Sequence, residues 1–248
     1  MAATPCRHPS KSTLPPGLFL KFNCAFNYNS RMARATHAKL RQPGRPRLTA
    51  ESGLRTRALD AALDLFAMRG IAATSLRDIA RSAGVTPALL HYYFGSKPQL
   101  VEILIAERLM PVVGQMREAM QQADGNSAAL IAGFVRAAFG LIERYPWFPP
   151  LWAREVLCEG GALRELVMQR IAPLIPQQLE QQFRAAQKRG ELNPDLDPRL
   201  LVVSLIGLTL FTAASAPIWR AMFRADDIDS EALRLHTLAL LDRGIGLS

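Results

Sequence analysis

Apolar residues recur every three to four positions through most of the chain after residue 48, a spacing typical of α-helices. The first such stretch begins at about residue 49 and includes Arg69, and Gly70 ends it. A later stretch starts after Ser96 and extends toward residue 122, with Pro111 inside it, where the missing N–H predicts a kink. Further helices are predicted at 128–145, 151–158, 162–189, 199–223 and 230–243. Because no stretch alternates as a half-buried strand does, the pattern predicts an all-α fold.

Between residues 74 and 97 the pattern predicts two short helices joined by a tight turn. Ser75 and Asp78 have the spacing of a capping box at the start of the first helix, and Gly84 suits the left-handed turn that ends it. Thr86 offers an N-cap hydroxyl to the second helix, whose first position is Pro87. The apolar residues that form a shared core are Leu76, Ile79, Ala80, Ala83, Val85, Leu90, Tyr93 and Phe94. Two helices in this arrangement form a helix-turn-helix, whose second helix can lie in the DNA major groove.

An ordinary helical hairpin inside a larger core is the alternative interpretation of this segment. The outer side of the second helix argues against it, because an ordinary hairpin is not expected to expose a run of small, hydroxyl-bearing and aromatic residues followed by a lysine. That run ends at Lys97.

Positive charge is concentrated in the same part of the chain. Residues 1–100 hold 15 Lys/Arg and 4 Asp/Glu, a net charge of +11, whereas residues 101–248 hold 15 and 17, a net charge of −2. A basic half that also carries a helix-turn-helix indicates an anionic partner. Double-stranded DNA is favoured over a membrane surface because the charge accompanies a groove-reading element.

The first thirty residues are interpreted as a disordered leader. Lys21 interrupts their short apolar patch, which is therefore too brief for a signal peptide, and Met32 would serve equally well as a start. Residues 31–47 are rich in arginine. Two interpretations stay open for them: a solvated basic tail, or a flexible arm that lays Arg45 and Arg47 in the minor groove.

A run of 20 uncharged residues lies between Arg199 and Arg220, long enough to cross a bilayer. Serines, threonines, Gly207 and Pro217 dilute its hydrophobicity, so we favour a helix that is buried on all sides in a protein without a membrane span. One side would face its own domain and the other a second subunit, with the last helix as companion in a four-helix interface. The predicted dimer contacts are Val203, Leu205, Leu208, Leu210, Thr212, Leu238 and Leu241.

The sequence contains no recognisable catalytic or metal-binding motif. Its three cysteines and four histidines are scattered, and it lacks a nucleophile elbow, a P-loop and H-E-x-x-H. We therefore expect no enzyme activity, no metal and no cofactor, in preference to a helical enzyme with an accessory DNA-binding domain. The odd cysteine count favours a reducing cytoplasm.

Four motifs follow one another along the first half of the chain: 63–70, 74–80, 83–85 and 90–97. In this order and spacing they resemble the TetR family of bacterial transcriptional regulators, over about residues 50–105. The remainder resembles the family only in being helical and of suitable length. The resemblance implies a flexible basic extension (1–47), a helix-turn-helix domain (48–97) and a helical domain for ligand binding and dimerisation (98–248).

The resemblance further implies a homodimeric regulator, usually a repressor, that binds an inverted-repeat operator and is released by a small molecule. The residues that the resemblance predicts to face base edges in the groove are Thr86, Pro87, Ala88, Leu89 and His91. The resemblance implies phosphate contacts for Thr74, Tyr92, Tyr93 and Lys97, and Ser75 is predicted as a further DNA-binding residue. A constitutive architectural DNA-binding protein is the alternative, with little sequence preference and steep salt dependence.

The ligand site is predicted only from residue type. The candidates are Phe134, Trp147, Phe148, Trp152, Arg154, Glu155, Met168 and Phe211, for each of which ordinary packing or a solvated helix face is the alternative. We expect ligand binding to shift the helix after Ser96, as the only rigid link to the DNA-reading unit, with Pro111 dividing it.

Overall fold

The computed structural model of the chain describes residues 47–121 and 126–245, in which every regular element is helical. The all-α prediction is confirmed for this part of the chain. The predicted leader, Arg45 and most of the predicted loop at 123–126 lie outside the described residues, as does the side chain of Arg47.

Three helices make up the N-terminal unit: α1 (Arg47–Arg69), α2 (Leu76–Ala83) and α3 (Pro87–Phe94). The predicted capping box is confirmed, because the Asp78 N–H donates to the Ser75 hydroxyl and the Ser75 N–H donates to the Asp78 carboxylate, both at 3.1 Å. Gly84 takes the expected left-handed conformation, with φ of 67°. The Thr86 hydroxyl accepts a hydrogen bond from the Leu89 N–H at 3.2 Å and thereby caps α3. Local capping thus fixes the angle at which α3 leaves the turn.

A long helical segment leads out of this unit. It consists of α4 (Lys97–Leu104), a π-helical turn π1 (Ile105–Leu109) and α5 (Met110–Gln121). Pro111 lies in the first turn of α5, where a missing N–H is tolerated. The irregularity that the sequence predicts at Pro111 is therefore found one turn earlier, as π1.

The remaining elements alternate α-helices with π-helical turns. They are α6 (Ser127–Arg144), α7 (Phe148–Trp152), π2 (Ala153–Leu157), α8 (Arg164–Leu166), π3 (Val167–Ile171), α9 (Pro176–Lys188), α10 (Pro198–Ile206), π4 (Gly207–Phe211), α11 (Thr212–Ala214), α12 (Ala216–Phe223) and α13 (Ser230–Ile245). The helix predicted at 151–158 starts three residues earlier, because Pro149 and Pro150 occupy its first turn, where proline is tolerated. The helix predicted at 162–189 is divided before Pro176, which begins α9.

Buried side chains form two clusters. The first belongs to α1–α4 and includes Phe66, Ile79 and Leu90, but Leu151 and Leu163 from beyond α6 also pack into it. The second fills the space between α5, α6, α9, α10 and α13. The segment around α7 is therefore packed against the N-terminal unit as well as against its own half of the chain.

The uncharged run between Arg199 and Arg220 is divided among several elements. Within the described residues, no single helix is long and apolar enough to cross a membrane, although 198–214 and 216–223 would pass that test together as a pair bent by 70°.

Candidate functional site

One face of α3 is anchored in the N-terminal core and the opposite face is open. Leu90 and Phe94 are buried, with 0% and 2% of their surface exposed. Tyr92 is 80% exposed, which is unusual for a large aromatic side chain and indicates a contact surface. The residues exposed beside it are Thr86, Pro87, Ala88 and His91, while Leu89 is half-buried. The residues predicted to face base edges therefore share one accessible surface.

Thr74 does not belong to this surface, and the prediction that it contacts phosphate is wrong. Its side chain is 1% exposed, and its hydroxyl donates a hydrogen bond to the Gly70 carbonyl at 2.8 Å. Thr74 closes the connection between α1 and α2, because a buried hydroxyl must find a partner inside the protein.

Ser75 is exposed, but its hydroxyl is already engaged. The group donates to the Asp78 carboxylate at 2.5 Å while accepting from the Asp78 N–H. The position therefore works first as a helix cap, a role that the capping-box spacing already indicates.

Lys97 and Tyr93 border the open face of α3. The Lys97 ammonium donates to the Ala72 carbonyl at 3.1 Å, which leaves two of its three N–H donors available. Tyr93 is half-buried against the first core cluster, with its ring centroid 5.6 Å from that of Tyr92. Contacts within the protein therefore already fix the positions of both side chains at the edge of the open face of α3.

Two cations on α2 were missed by the sequence reasoning. Arg77 and Arg81 are exposed on the helix next to α3, and Arg81 makes only a long contact of 3.8 Å with Asp78. Their spacing of four residues on the polar side of α2 is the signal that could have identified them.

Two ion pairs fasten α1 to π1. Both nitrogens at the end of Arg55 donate to the Glu107 carboxylate, at 2.7 and 2.6 Å, and Arg108 pairs with Asp60 at 3.1 Å. The hydrogen bonds from Arg55 hold the pKa of Glu107 below its ordinary value. The guanidinium of Arg55 also lies 5.4 Å from the centroid of the Phe94 ring. The N-terminal unit and the start of the long helical segment are thus joined by charge as well as by packing.

A cavity of about 140 Å³ lies between α5, α6, α7 and the π-helical turns. Each of the four π-helical turns contributes to its wall, through Leu109, Val156, Val167 and Thr209. Such turns are frequent at functional sites. Nearly the whole lining is aliphatic or aromatic, which makes this cavity the candidate ligand site.

Three of the predicted ligand residues line this cavity, namely Phe134, Phe148 and Trp152. Three do not: Trp147 packs against the first core cluster, whereas Met168 and Phe211 are 64% and 58% exposed. The sequence reasoning missed the α5 wall of Val112, Val113 and Met116. Their apolar spacing within the 97–122 helix was the available signal.

Glu155 and Arg154 do not line the cavity, so the structure does not support their prediction as ligand contacts. The Glu155 carboxylate, in a side chain only 5% exposed, accepts hydrogen bonds from the Ile71 N–H at 2.7 Å and the Ala162 N–H at 3.0 Å. Carbon atoms of Arg154 lie beside Gly70. This pair therefore joins π2 to the turn that follows α1.

The predicted dimer residues divide into two groups. Leu205 and Leu241 are buried within the single chain, Leu210 lines the cavity, and the remaining half-buried members pack inward or bond locally, namely Leu208, Leu238 and Thr212. Val203 is 63% exposed. Leu205 and Leu241 therefore cannot supply an interface, because their side chains are already surrounded by their own core, whereas the half-buried residues stay predictions. Large apolar side chains that do lie exposed on α10, π4 and α13 are Leu200, Val203, Phe211, Leu235 and Leu240.

Two family models match the chain. The model described as bacterial regulatory proteins, tetR family, matches residues 58–104, and the model described as tetracyclin repressor-like, C-terminal domain, matches residues 128–242. The first match covers α2, α3 and α4, and the second covers most of the half that holds the cavity.

Individual proteins with known names show the same relationship. The chain is 38% identical over 94 residues to the HTH-type transcriptional repressor KstR2 of Rhodococcus jostii, covering 38% of this chain and 45% of the relative. It is 36% identical over 110 residues to the HTH-type transcriptional regulator BetI of Rhizobium meliloti, covering 43% and 52%. The chain thus spans about half the length of these relatives. Its fold is similar to that of the transcriptional regulator FadR from Bacillus subtilis in complex with stearoyl-CoA, with a TM-score of 0.59, 22% identity, and coverage of 77% of this chain and 99% of that chain.

Proposed function

The chain belongs to the TetR family of bacterial transcriptional regulators, and from that premise we propose that it binds operator DNA as a homodimer and is released by a small molecule. The observation that carries the proposal is the open face of α3. An aromatic side chain that is 80% exposed and a histidine beside it, both on a helix anchored by Leu90 and Phe94, are arranged for contact with an external partner.

Support for DNA as that partner comes from the charge and dimensions of this face. An α-helix fits the major groove, where His91 can hydrogen-bond to base edges and the half-buried Leu89 can touch a thymine methyl group. Lys97, Arg77 and Arg81 supply cations for phosphates on either side. The basic segment that contains Arg45 adds charge for a minor-groove contact.

Support for the homodimer comes from the exposed apolar side chains of α10, π4 and α13. Single exposed apolar residues are ordinary on protein surfaces, but several on neighbouring elements mark an interaction surface. A second copy would place two α3 helices on one duplex, which would then read an inverted repeat with half-sites about one helical turn apart, or a multiple of it.

Support for ligand release comes from the position of the cavity. Val156 lines it, and the preceding residue, Glu155, is bonded to the turn after α1. Filling the cavity would displace π2 and, through Glu155, the N-terminal unit. The long helical segment provides a second route, since Leu109 and Met116 also line the cavity. The fold neighbour FadR was solved in complex with stearoyl-CoA, so a fold of this kind can hold a ligand that carries a long acyl chain.

Footprinting on the DNA that flanks the protein's own coding region, at one salt concentration, tests the proposal. We expect a protected inverted repeat that disappears when a ligand of the cavity is added. Binding that covers random and flanking DNA equally would favour the constitutive architectural function instead. In either case the protein would act in the cytoplasm, where the DNA is.

A further inference from the structure

We propose that the part of the effector held in this cavity is uncharged and mostly hydrocarbon, with at most one or two hydrogen-bonding groups. The proposal rests on the proposed function, because it assigns the chemical class of the ligand that would release the DNA. Three features support it: the cavity lining, the surroundings of Glu155 and Arg154, and the size of the cavity.

No ionisable side chain lines the cavity in the described part of the chain. An ion moved from water into such a lining loses its hydration and finds no opposite charge, which makes its burial very unfavourable. A carboxylate or ammonium group is therefore excluded from the interior of this cavity.

The two charged residues that the sequence predicts as ligand contacts do not change this conclusion. Both oxygens of Glu155 accept backbone hydrogen bonds, one from Ile71 and one from Ala162, so its carboxylate is already satisfied. Arg154 lies against Gly70, on the side of π2 that faces the N-terminal unit. Neither side chain belongs to the cavity lining.

Among the described residues, Thr209 and Trp152 are the only lining side chains that carry nitrogen or oxygen. Thr209 is 0% exposed, and its hydroxyl donates to the Leu205 carbonyl at 2.8 Å. Because that proton is engaged, the Thr209 oxygen can accept a hydrogen bond but cannot donate one to a ligand. A ligand hydroxyl would match it, whereas a ligand carbonyl would not.

The size of the cavity limits the part of a ligand that it holds. Its volume of about 140 Å³ is close to the roughly 150 Å³ of a dry engineered cavity that binds benzene. The fitting group is therefore one aromatic ring or a short branched alkyl group, either as a whole molecule or as the end of a longer one.

Four probes of similar shape test whether the cavity excludes charged groups: toluene, p-cresol, benzoate and benzylammonium. Isothermal titration of the full chain should show binding of toluene and p-cresol, with benzoate and benzylammonium weaker by at least about 100-fold because their charge is not compensated. In Thr209→Val, we expect toluene affinity to persist while any preference for p-cresol over toluene disappears, since the acceptor has been removed.

The site itself is tested by filling it. Ala138→Phe, on the cavity wall of α6, should abolish binding of toluene, whereas Ala185→Phe, at an exposed position of α9, should not. Circular dichroism shows whether Ala138→Phe is folded. If it is not, the four probes on the unaltered protein still test the ligand class.

The outcomes separate the ligand class from the proposed function. Benzoate or benzylammonium binding as tightly as toluene, or no binding by any probe, would overturn the ligand class. Binding of toluene that leaves operator affinity unchanged would contradict ligand release while supporting the ligand class.

Discussion

The carboxylate of Glu155 accepts a hydrogen bond from the backbone N–H of Ile71 at 2.7 Å, across 84 positions of the chain. The same carboxylate accepts from Ala162, and the Leu163 N–H donates to the Glu155 carbonyl at 3.1 Å. Gly161 permits this close wrapping, because a Cβ there would lie 2.3 Å from the Glu155 carbonyl oxygen. The loop after π2 therefore holds Glu155 rigidly against the N-terminal unit. The helix after Ser96 is not the only link to the DNA-reading unit, contrary to expectation from the sequence.

Replacing Glu155 should weaken this second link. Removing the acceptor in Glu155→Ala leaves the buried N–H of Ile71 and the part-buried N–H of Ala162 unpaired, so we expect the free energy of unfolding to fall by about 1–3 kcal/mol. The effect of ligand on operator affinity should shrink by about 10-fold, because coupling of this size is typical between sites. Operator titration with and without toluene measures the coupling, and Glu159→Ala, at an exposed position nearby, is the control. Full coupling in a folded Glu155→Ala protein would contradict the role of Glu155.

His91 and Lys97 should affect DNA binding in different ways. His91→Ala removes the proposed base contact, so we expect the free energy of operator binding to weaken by about 1–3 kcal/mol with little change on random DNA. Lys97→Gln should weaken binding to both DNAs and lower the salt slope by about one. Gel-shift titrations at several salt concentrations measure both effects, with His236→Ala, an exposed histidine in α13, as the control. Equal losses on both DNAs for His91→Ala would argue against base reading.

Thr74→Val should change stability rather than DNA binding. The valine keeps the shape but cannot donate to the Gly70 carbonyl, so about 1–3 kcal/mol of unfolding free energy should be lost. Denaturant unfolding measures that loss, and the salt slope for operator binding should match the unaltered protein. A lower salt slope for Thr74→Val would contradict this expectation and would indicate that Thr74 does contact phosphate.

The sequence predicts the DNA-reading unit far better than the cavity, for a physical reason. Capping by Ser75 and Thr86 and the turn at Gly84 depend on neighbours within a few residues, so spacing alone reveals them. The partner of Glu155 lies 84 positions away, and no local pattern indicates it. Exposure of Phe211 and burial of Leu205 likewise depend on how π4 interrupts a uniformly apolar run.

The pair formed by Arg55 and Glu107 should make stability depend on pH. Hydrogen bonds from Arg55 hold the pKa of Glu107 below its ordinary value of 4.5, so the folded state favours the ionised carboxylate. The stabilisation is fully present above pH 4.5 and is lost as the pH falls through the folded-state pKa. Because both side chains are partly exposed, we expect only about 0.2–1 kcal/mol.

Thermal unfolding of Glu107→Gln and the unaltered protein at several pH values tests this dependence. Their difference should be present at neutral pH and vanish in acid, whereas Glu118→Gln, at an exposed position of α5, should show no such trend. A difference that stays constant across the pH range would mean that the glutamine affects packing rather than charge.

The exposed apolar side chains of α10 and π4 should govern self-association. Val203 and Phe211 are 63% and 58% exposed in the single chain, so replacing either with glutamate costs a single subunit little. In a dimer the same change would bury two unpaired carboxylates, one from each copy, which is strongly unfavourable. We therefore expect Val203→Glu with Phe211→Glu to sediment as a folded monomer and to bind the operator at least about 10-fold more weakly, since half of the contacts are lost.

Met168→Glu is the matched control for this prediction, because Met168 is equally exposed at 64% but lies on π3 rather than on α10 or π4. It should leave both the sedimentation coefficient and operator affinity unchanged. If the double variant remained a dimer while Met168→Glu dissociated, the interface would have to involve π3. The two copies of α3 would then lie at a different separation on DNA. Footprinting would show this as a half-site spacing that differs from the spacing expected for an α10 interface.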